Sequence, residues 1–293
     1  MIKKAQNRAA GLGTRLLTVT KEIPKEMLPV FDRGVNSGTV LKPMLQIVFE
    51  QLHDAGFRKF CFIVGRGERA VEDHFTKDEK FVSYLRSKNK DDAAEELENF
   101  YRKIAASKIV VVNQPDPRGF GDAVAKAKVF TSDGPFLVHA GDDLVLSSRN
   151  LHTNRLIKVF EEKNCGAAFF VHRVQDPSRY GVITGVRVEP NVYKVIDIVE
   201  KPRTPPSNLA TIAIYVFGNG IYEAIENTGA DENGEVQLTD AIKQLILTGE
   251  HVYAVELSSD EKRVDIGTVE SYWNALRETF LRHKGEKYKQ DQS

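Results

Sequence analysis

The chain has 293 residues, 41% of them hydrophobic and 28% charged, the composition of an ordinary globular protein. Lys+Arg and Asp+Glu balance at 41 each, so no global field draws the chain to nucleic acid or to a membrane surface, and any bound anion must be held by a local cluster. No stretch approaches the roughly 18 apolar residues of a membrane span, and the opening Met1-Ile2-Lys3-Lys4 lacks the apolar run of a signal peptide, so a cytoplasmic location is expected.

In chain order, continuous apolar runs at Phe60 to Val64, Ile109 to Val112, Phe136 to Val138 and Ala167 to Val171 suit strands buried on both faces. Helical patterns lie between them. Pro43 fits a first helical position, Leu45, Val48, Phe49 and Leu52 form an apolar stripe, and Gly56 fits the C-terminal stop. Asp91 to Lys103 reads as a charged helix, and shorter stripes occur at Leu156, Val159, Phe160 and at Leu238, Ala241, Ile242, Leu245. Asp32 to Thr39 reads as a polar loop, and the prolines of Lys201 to Asn208 exclude regular structure there. Alternating strand and helix predicts an α/β fold with a doubly wound, mainly parallel central sheet and helices on both faces, Rossmann-like in outline. With no composition break, one domain over 1–293 is expected. Cys61 and Cys165 sit among apolar neighbours without metal or redox spacing, which predicts buried reduced thiols.

Ala9-Ala10-Gly11-Leu12-Gly13-Thr14-Arg15 is the first segment with chemistry in it. Glycines let backbone N–H groups approach phosphate oxygens, Arg15 offers a planar fork for a di- or triphosphate, and Lys25 adds a point charge. A bare Gly-x-Gly is equally a tight turn beside two solvated cations. A dinucleotide fingerprint fails, because Leu16 stands at the third glycine and Gly65 rather than an acidic residue follows the second strand. A P-loop fails too, since Gly13 is followed by Thr14-Arg15. Gln6-Asn7-Arg8, just before this block, would be costly to bury in a central strand.

Together with Pro24-Lys25-Glu26-Met27-Leu28-Pro29, this block resembles the A-A-G-x-G-T-R…P-K-x-M-L-P pattern of the sugar nucleotidyltransferase family, in the form found in its bacterial and archaeal uridylyltransferases. The resemblance runs from about Lys4 to Leu281. It implies coupling of a sugar 1-phosphate, glucose 1-phosphate foremost, to a nucleoside triphosphate, UTP foremost with dTTP as the alternative, with Mg²⁺ as cofactor and pyrophosphate as leaving group. Ala10, Gly11, Gly13 and Thr14 would hold the triphosphate, Arg15 the pyrophosphate, and Lys25 the phosphates at the reaction centre. Gln114 and Gly119, in Gln114-Pro115-Asp116-Pro117-Arg118-Gly119, resemble the family's pyrimidine-reading loop. Asp142, after Phe136 to Val138, and Asp265, in Arg263-Val264-Asp265-Ile266-Gly267-Thr268, match its metal aspartates. Gly181, Glu200 and Lys201 match its sugar-binding segments, and Thr268 could cap a last helix at about 268–282. The nucleotide part would lie in about 1–145 and the sugar part in about 146–268. Relatives of this kind form dimers or tetramers, so a homo-oligomer is expected. His139 reads as a core residue rather than a ligand, and no second catalytic module is expected, since no hexapeptide repeats occur.

Overall fold

The structure, a computed structural model, describes residues 2–11, 13–36, 38–65, 69–147 and 151–284. The polar composition of 283–293 predicts a frayed tail, which for 285–293 falls outside the described residues. In order the elements are β1 (Lys4–Ala9), β2 (Pro29–Arg33), β3 (Thr39–Pro43), α1 (Met44–Asp54), β4 (Lys59–Val64), α2 (Arg69–His74), α3 (Glu79–Ser87), α4 (Asp91–Ala105) and β5 (Lys108–Asn113). There follow α5 (Phe120–Lys126), α6 (Lys128–Thr131), β6 (Phe136–Ala140), β7 (Asp143–Leu146), α7 (His152–Lys163), β8 (Ala167–Arg173), β9 (Gly181–Glu189), β10 (Val192–Glu200) and β11 (Leu209–Phe217). The chain continues through α8 (Gly220–Glu226), α9 (Leu238–Leu247), β12 (Val252–Glu256), β13 (Lys262–Asp265) and α10 (Val269–Lys284).

The apolar runs are strands for the reason given: both faces are covered. Along β4, Phe60, Phe62 and Val64 join the cluster containing α1 and α4, while Cys61 and Ile63 join one with Ala123 and Ala127 on the opposite face. In β6, Leu137 points to the first face and Phe136 and Val138 to the second. Helices thus cover both faces, as expected. The stripe Leu45, Val48, Phe49, Leu52 is fully buried, and Gly56 takes φ 99° just past the end of α1, where only glycine is unstrained. Pro43 ends β3 in an extended conformation and precedes the helix instead of opening it.

The sheet departs from expectation. Among the described residues it has nine strands in the order β5-β4-β1-β6-β11-β8-β12-β10-β9. β5, β4, β1 and β6 are parallel, as predicted. β11 then runs antiparallel to both β6 and β8, and β10 antiparallel to β9 and β12. β9 also meets β11 at Val182 and Ala210, so five strands close a ring. The sheet is mixed, not doubly wound throughout. The physical reason is connection length: only Pro190 and Asn191 separate β9 from β10, with Asn191 at φ 61°, and two residues can make a hairpin but never a parallel crossover. Asp32 to Thr39 is likewise shorter as a loop than expected, because Asp32, Arg33 and Thr39 pair in the β2–β3 hairpin.

β1 holds its polar residues at the centre of the sheet, between β4 and β6. Gln6 is fully buried and its amide nitrogen donates to Thr131 Oγ1 (2.8 Å) and the Tyr222 hydroxyl (3.0 Å). Neither polar atom of the Asn7 amide finds a partner among the described residues, and nothing in the structure explains its choice. Cys61 and Cys165 are buried free thiols, both pushed up to about 12 by burial. At the last helix, Ser271 N donates to Thr268 Oγ1 and Thr268 N to Ser271 Oγ, so Thr268 does cap α10.

Burial also depresses His74 to about 4 and His152 to about 3, each held neutral with one ring nitrogen bonded, to Gln46 Oε1 and Ser147 Oγ. The unfolded chain binds more protons than the native one between these values and about pH 6.5, so stability falls as pH drops through that window. Each histidine is worth up to about 3 kcal/mol by pH 4. Urea unfolding at pH 7 and pH 4.5 should show a clear fall in midpoint. An equal midpoint would mean these rings are protonated in the native state.

Candidate active site

β1 ends at Ala9, and the chain turns through Gly11 and Gly13 into a 3-10 turn at Thr14–Leu16. Gly13 sits at φ 59°, and a Cβ there would lie 2.9 Å from Thr20 Cβ, so the turn needs glycine. At Gly11 a Cβ would come within 3.3 Å of Lys25 Cε, which shows how closely the lysine passes the backbone. Gly11, Gly13, Thr14, Arg15 and Lys25 line one cavity together with Arg8. Ala10 is buried and lies behind it, its carbonyl taken by Arg8. Leu12 lies outside the described residues.

Lys25 opens a further 3-10 turn after Pro24, and its ammonium forms an ion pair with Asp142. Burial pulls the Lys25 pKa down, but the charges of Asp142 and Glu26 outweigh it and the net shift is upward. Burial pushes Asp142 up, and the Lys25 ammonium, with Arg8 behind it, brings it below the usual carboxylate range. Gly141 makes this meeting possible: its N–H donates to the Arg8 carbonyl (2.9 Å), and a Cβ there would press on Glu26, Leu45 and that same carbonyl at 3.0–3.1 Å.

Asp265 comes from the far end of the sequence through a two-stranded ribbon. β13 pairs antiparallel with β7, in a register that puts Asp265 opposite Asp143, and Ile266 N donates to the Asp142 carbonyl. The Asp143 carboxyl is raised first by burial and also by the charges of Asp265 and Asp142, against the pull of Arg263. Asp143 thus lies within electrostatic reach of Asp142 and Asp265, and the protein's own cations at this corner are Lys25 on Asp142 and Arg263 on Asp143 and Asp265. Arg15 belongs to the same corner, with Nη1 3.9 Å from where a Gly267 Cβ would stand. Among the described residues no group of three or more His, Cys, Asp or Glu side chains is placed to hold a metal. Two aspartates suit an ion that takes most of its oxygens from phosphates and water.

Gln114 is buried at the end of β5, and its amide nitrogen donates to the Gly119 carbonyl (3.1 Å) and to Asp122 Oδ2 (2.7 Å). Both partners are acceptors, which fixes the amide orientation and leaves Oε1 without a partner among the described residues. A strand-end amide can offer a base edge both a donor and an acceptor; here the fold spends the donor internally. Gly119, at φ 98°, would drive a Cβ to 2.5 Å from the Val236 carbonyl oxygen. Val236 N donates to the Arg118 carbonyl and Gly121 N to the Val236 carbonyl, so the 233–240 segment is stitched to this loop.

A second cavity is lined by Tyr180, Gly181, Glu200, Thr239, Asp143 and Arg263, among others. At Gly181 a Cβ would meet Thr239 and Thr211 at 2.7 and 2.9 Å, so glycine keeps the pocket open. Thr239 Oγ1 donates to Glu200 Oε2 (2.9 Å), and Lys201 Nζ lies 3.3 Å from Glu200 Oε1. Lys201 is more than half exposed at the rim and does not line the pocket. Asp143 and Arg263 were missed as site residues: Arg263 Nε donates to both carboxylate oxygens at 2.7 and 3.0 Å. Both lie within segments already singled out, and an Arg two residues before a site aspartate on a short strand shares its face. Arg8 was read only as a burden on the first strand. His139 is a core residue, as read, with Nδ1 on the Ala140 carbonyl and its pKa pushed to about 4 by burial.

The nucleotidyl transferase family model matches residues 9–280. Over 270 residues the chain is 37% identical to UTP–glucose-1-phosphate uridylyltransferase 2 of Staphylococcus saprophyticus, covering 91% of this chain and 88% of that protein. It is 36% identical, over 91% of this chain and 87% of the relative, to UTP–glucose-1-phosphate uridylyltransferase of Bacillus subtilis. A structure of UTP-bound UGPase from Acinetobacter baumannii superposes with a TM-score of 0.84 at 29% identity, covering 99% and 98% of the two chains. A UDP-glucose pyrophosphorylase complexed with UDP-glucose gives 0.81 at 31%, covering 96% and 99%.

Proposed function

The chain belongs to the nucleotidyl transferase family, and from that premise we infer that it transfers the uridylyl group of UTP to glucose 1-phosphate, giving UDP-glucose and pyrophosphate. The observation that carries this reading is the Lys25–Asp142 ion pair beside the glycine turn, with Arg15 and Asp265 both close to Gly267 and Ile266 N donating to the Asp142 carbonyl. The nucleotide would occupy the half built from β1, β4 and β5, and the sugar the ring half, within one unit. Buried, high-pKa thiols suit the reducing cytoplasm.

A phosphate oxygen of glucose 1-phosphate attacks the α-phosphorus of UTP; that P–O bond forms as the bond from the α-phosphorus to the bridging oxygen breaks and pyrophosphate departs. The attacking phosphate is already ionised near neutral pH, so the protein's task is positioning and charge neutralisation. Lys25, held protonated, faces the reacting phosphates, and Arg15 faces the leaving group. Gln114 Oε1 would accept from the pyrimidine N3–H. Glu200, oriented by Thr239, accepts from sugar hydroxyls. Asp142 and Asp265 would hold Mg²⁺, which when bound neutralises charge on the phosphates it touches.

UTP, dTTP, ATP and GTP compared with glucose 1-phosphate test the assignment. UTP is expected to exceed dTTP in kcat/KM by at least about tenfold, because dTTP both carries an extra 5-methyl group and lacks the 2′-hydroxyl. Purine nucleotides should react more slowly still. Faster turnover of dTTP than of UTP would assign the thymidylyl reaction instead.

A further inference from the structure

β1 alternates: Ala5 and Ala9 pack into the core on one face, while Gln6 points the other way towards Thr131 and Tyr222. Arg8 shares the face of Gln6, but no such pair of partners receives it. Its Nη2 donates to the Ala10 carbonyl (3.1 Å) and its guanidinium carbon lies 5.2 Å from the centre of the Phe120 ring. Among the described residues its Nε is buried without a partner and no carboxylate forms an ion pair with it. A partly buried arginine so placed at the end of a central strand lowers the stability of the free protein unless something anionic arrives.

Where Arg8 points supplies that anion. It lines the same cavity as Gly11, Gly13, Arg15 and Lys25. Phe120, beneath its guanidinium, also lines the pocket of Glu200. Arg8 thus stands at the junction of the two cavities, where the nucleotide and the sugar phosphate must meet, and its charge is felt by both Lys25 and Asp142. The Phe120 ring holds the guanidinium by a cation–π contact while leaving in-plane donors unused.

We propose that Arg8 is a phosphate-binding residue of this enzyme, its guanidinium donating to the α-phosphate of the bound nucleotide. This deepens the uridylyl-transfer reading and rests on it. The proposal accounts for Arg8 itself at the end of the strand: the residue is aimed at substrate and not at the core.

The test uses Arg8→Met and Arg8→Lys in the full chain. Arg8→Met should lower kcat/KM for UTP by about 10- to 100-fold, the size of one charge-assisted hydrogen bond, without lowering the melting temperature of the ligand-free protein. Arg8→Lys should retain more activity than Arg8→Met, and millimolar guanidinium chloride should restore part of the Arg8→Met rate. Arg8→Met within twofold of wild type overturns the proposal. So does a loss that follows a fall in melting temperature and is shared equally by Arg8→Lys, since that describes a packing residue. If Arg8→Met does not fold, the kcat/KM of Arg8→Lys decides: a drop of at least threefold that guanidinium reverses supports the proposal, and any other result overturns it. If wild-type protein makes no UDP-glucose, the reading itself fails. The rise in melting temperature on adding UTP, present in wild type and lost in Arg8→Met, then still decides the role of Arg8.

Discussion

Lys25→Ala should lower the turnover of UDP-glucose formation by about 10²–10³-fold, the scale seen when one preorganised donor to a developing charge is removed. The lysine is placed for this by three features at once. Pro24 and the following 3-10 turn fix its backbone, Gly11 lets its stem pass, and Asp142 with Glu26 keeps it charged despite burial. Because its pKa is raised, the ammonium is present throughout the neutral range, and the rate should show no fall attributable to its deprotonation below about pH 10. The variant also leaves the Asp142 carboxylate uncompensated in a partly buried site, so a stability loss of about 1–3 kcal/mol should accompany the rate loss. Mg²⁺ should recover some of the stability but not the rate. Steady-state assays with saturating substrates, beside thermal melts with and without Mg²⁺, check both halves. A turnover within threefold of wild type would take Lys25 out of the reaction centre.

Asp142→Asn should be at least as damaging, on the order of 10³-fold in turnover, because it removes charge without removing volume. Asparagine keeps one carbonyl oxygen but cannot neutralise an ion held jointly with Asp265. The Mg²⁺ concentration giving half-maximal rate should rise, and the same titration on Asp265→Asn should move in the same direction. If Asp142→Asn lowers turnover while the Mg²⁺ dependence of the remaining rate is unchanged, Asp142 acts only as the counter-ion of Lys25. Magnesium would then have to be held elsewhere.

The two halves of this site were not equally legible from the residues. The glycine turn and Lys25 could be read because their chemistry is local: a short stretch carries the turn, the cations and the spacing together. The buried strands could be read because continuous Val, Ile and Phe runs need cover on both faces. The ring was not legible in the same way. β9 and β10 alternate weakly, and their one strong signal, the Pro190-Asn191 pair between two β-rich runs, implied a hairpin and hence an antiparallel partner. Asp143 and Arg263 escaped notice because they meet only through the register of β7 on β13, a pairing across more than a hundred residues that no local pattern encodes. The polar stretch in β1 looked like a defect when judged by strand chemistry alone. Gln6 shows why it is tolerated: two hydroxyls from neighbouring helices receive its amide.

The backbone seam at Val236 has a thermodynamic corollary. One side of it is the loop of Gln114 and Gly119; the other runs directly into Gln237, Leu238 and Thr239, which border the pocket of Glu200. A base that tightens the first side also steadies the second, and a hexose that steadies the second repays the first. Whatever factor one ligand lends to the affinity of the other must be returned in equal measure, so occupancy of either pocket should be visible as a changed dissociation constant at its neighbour.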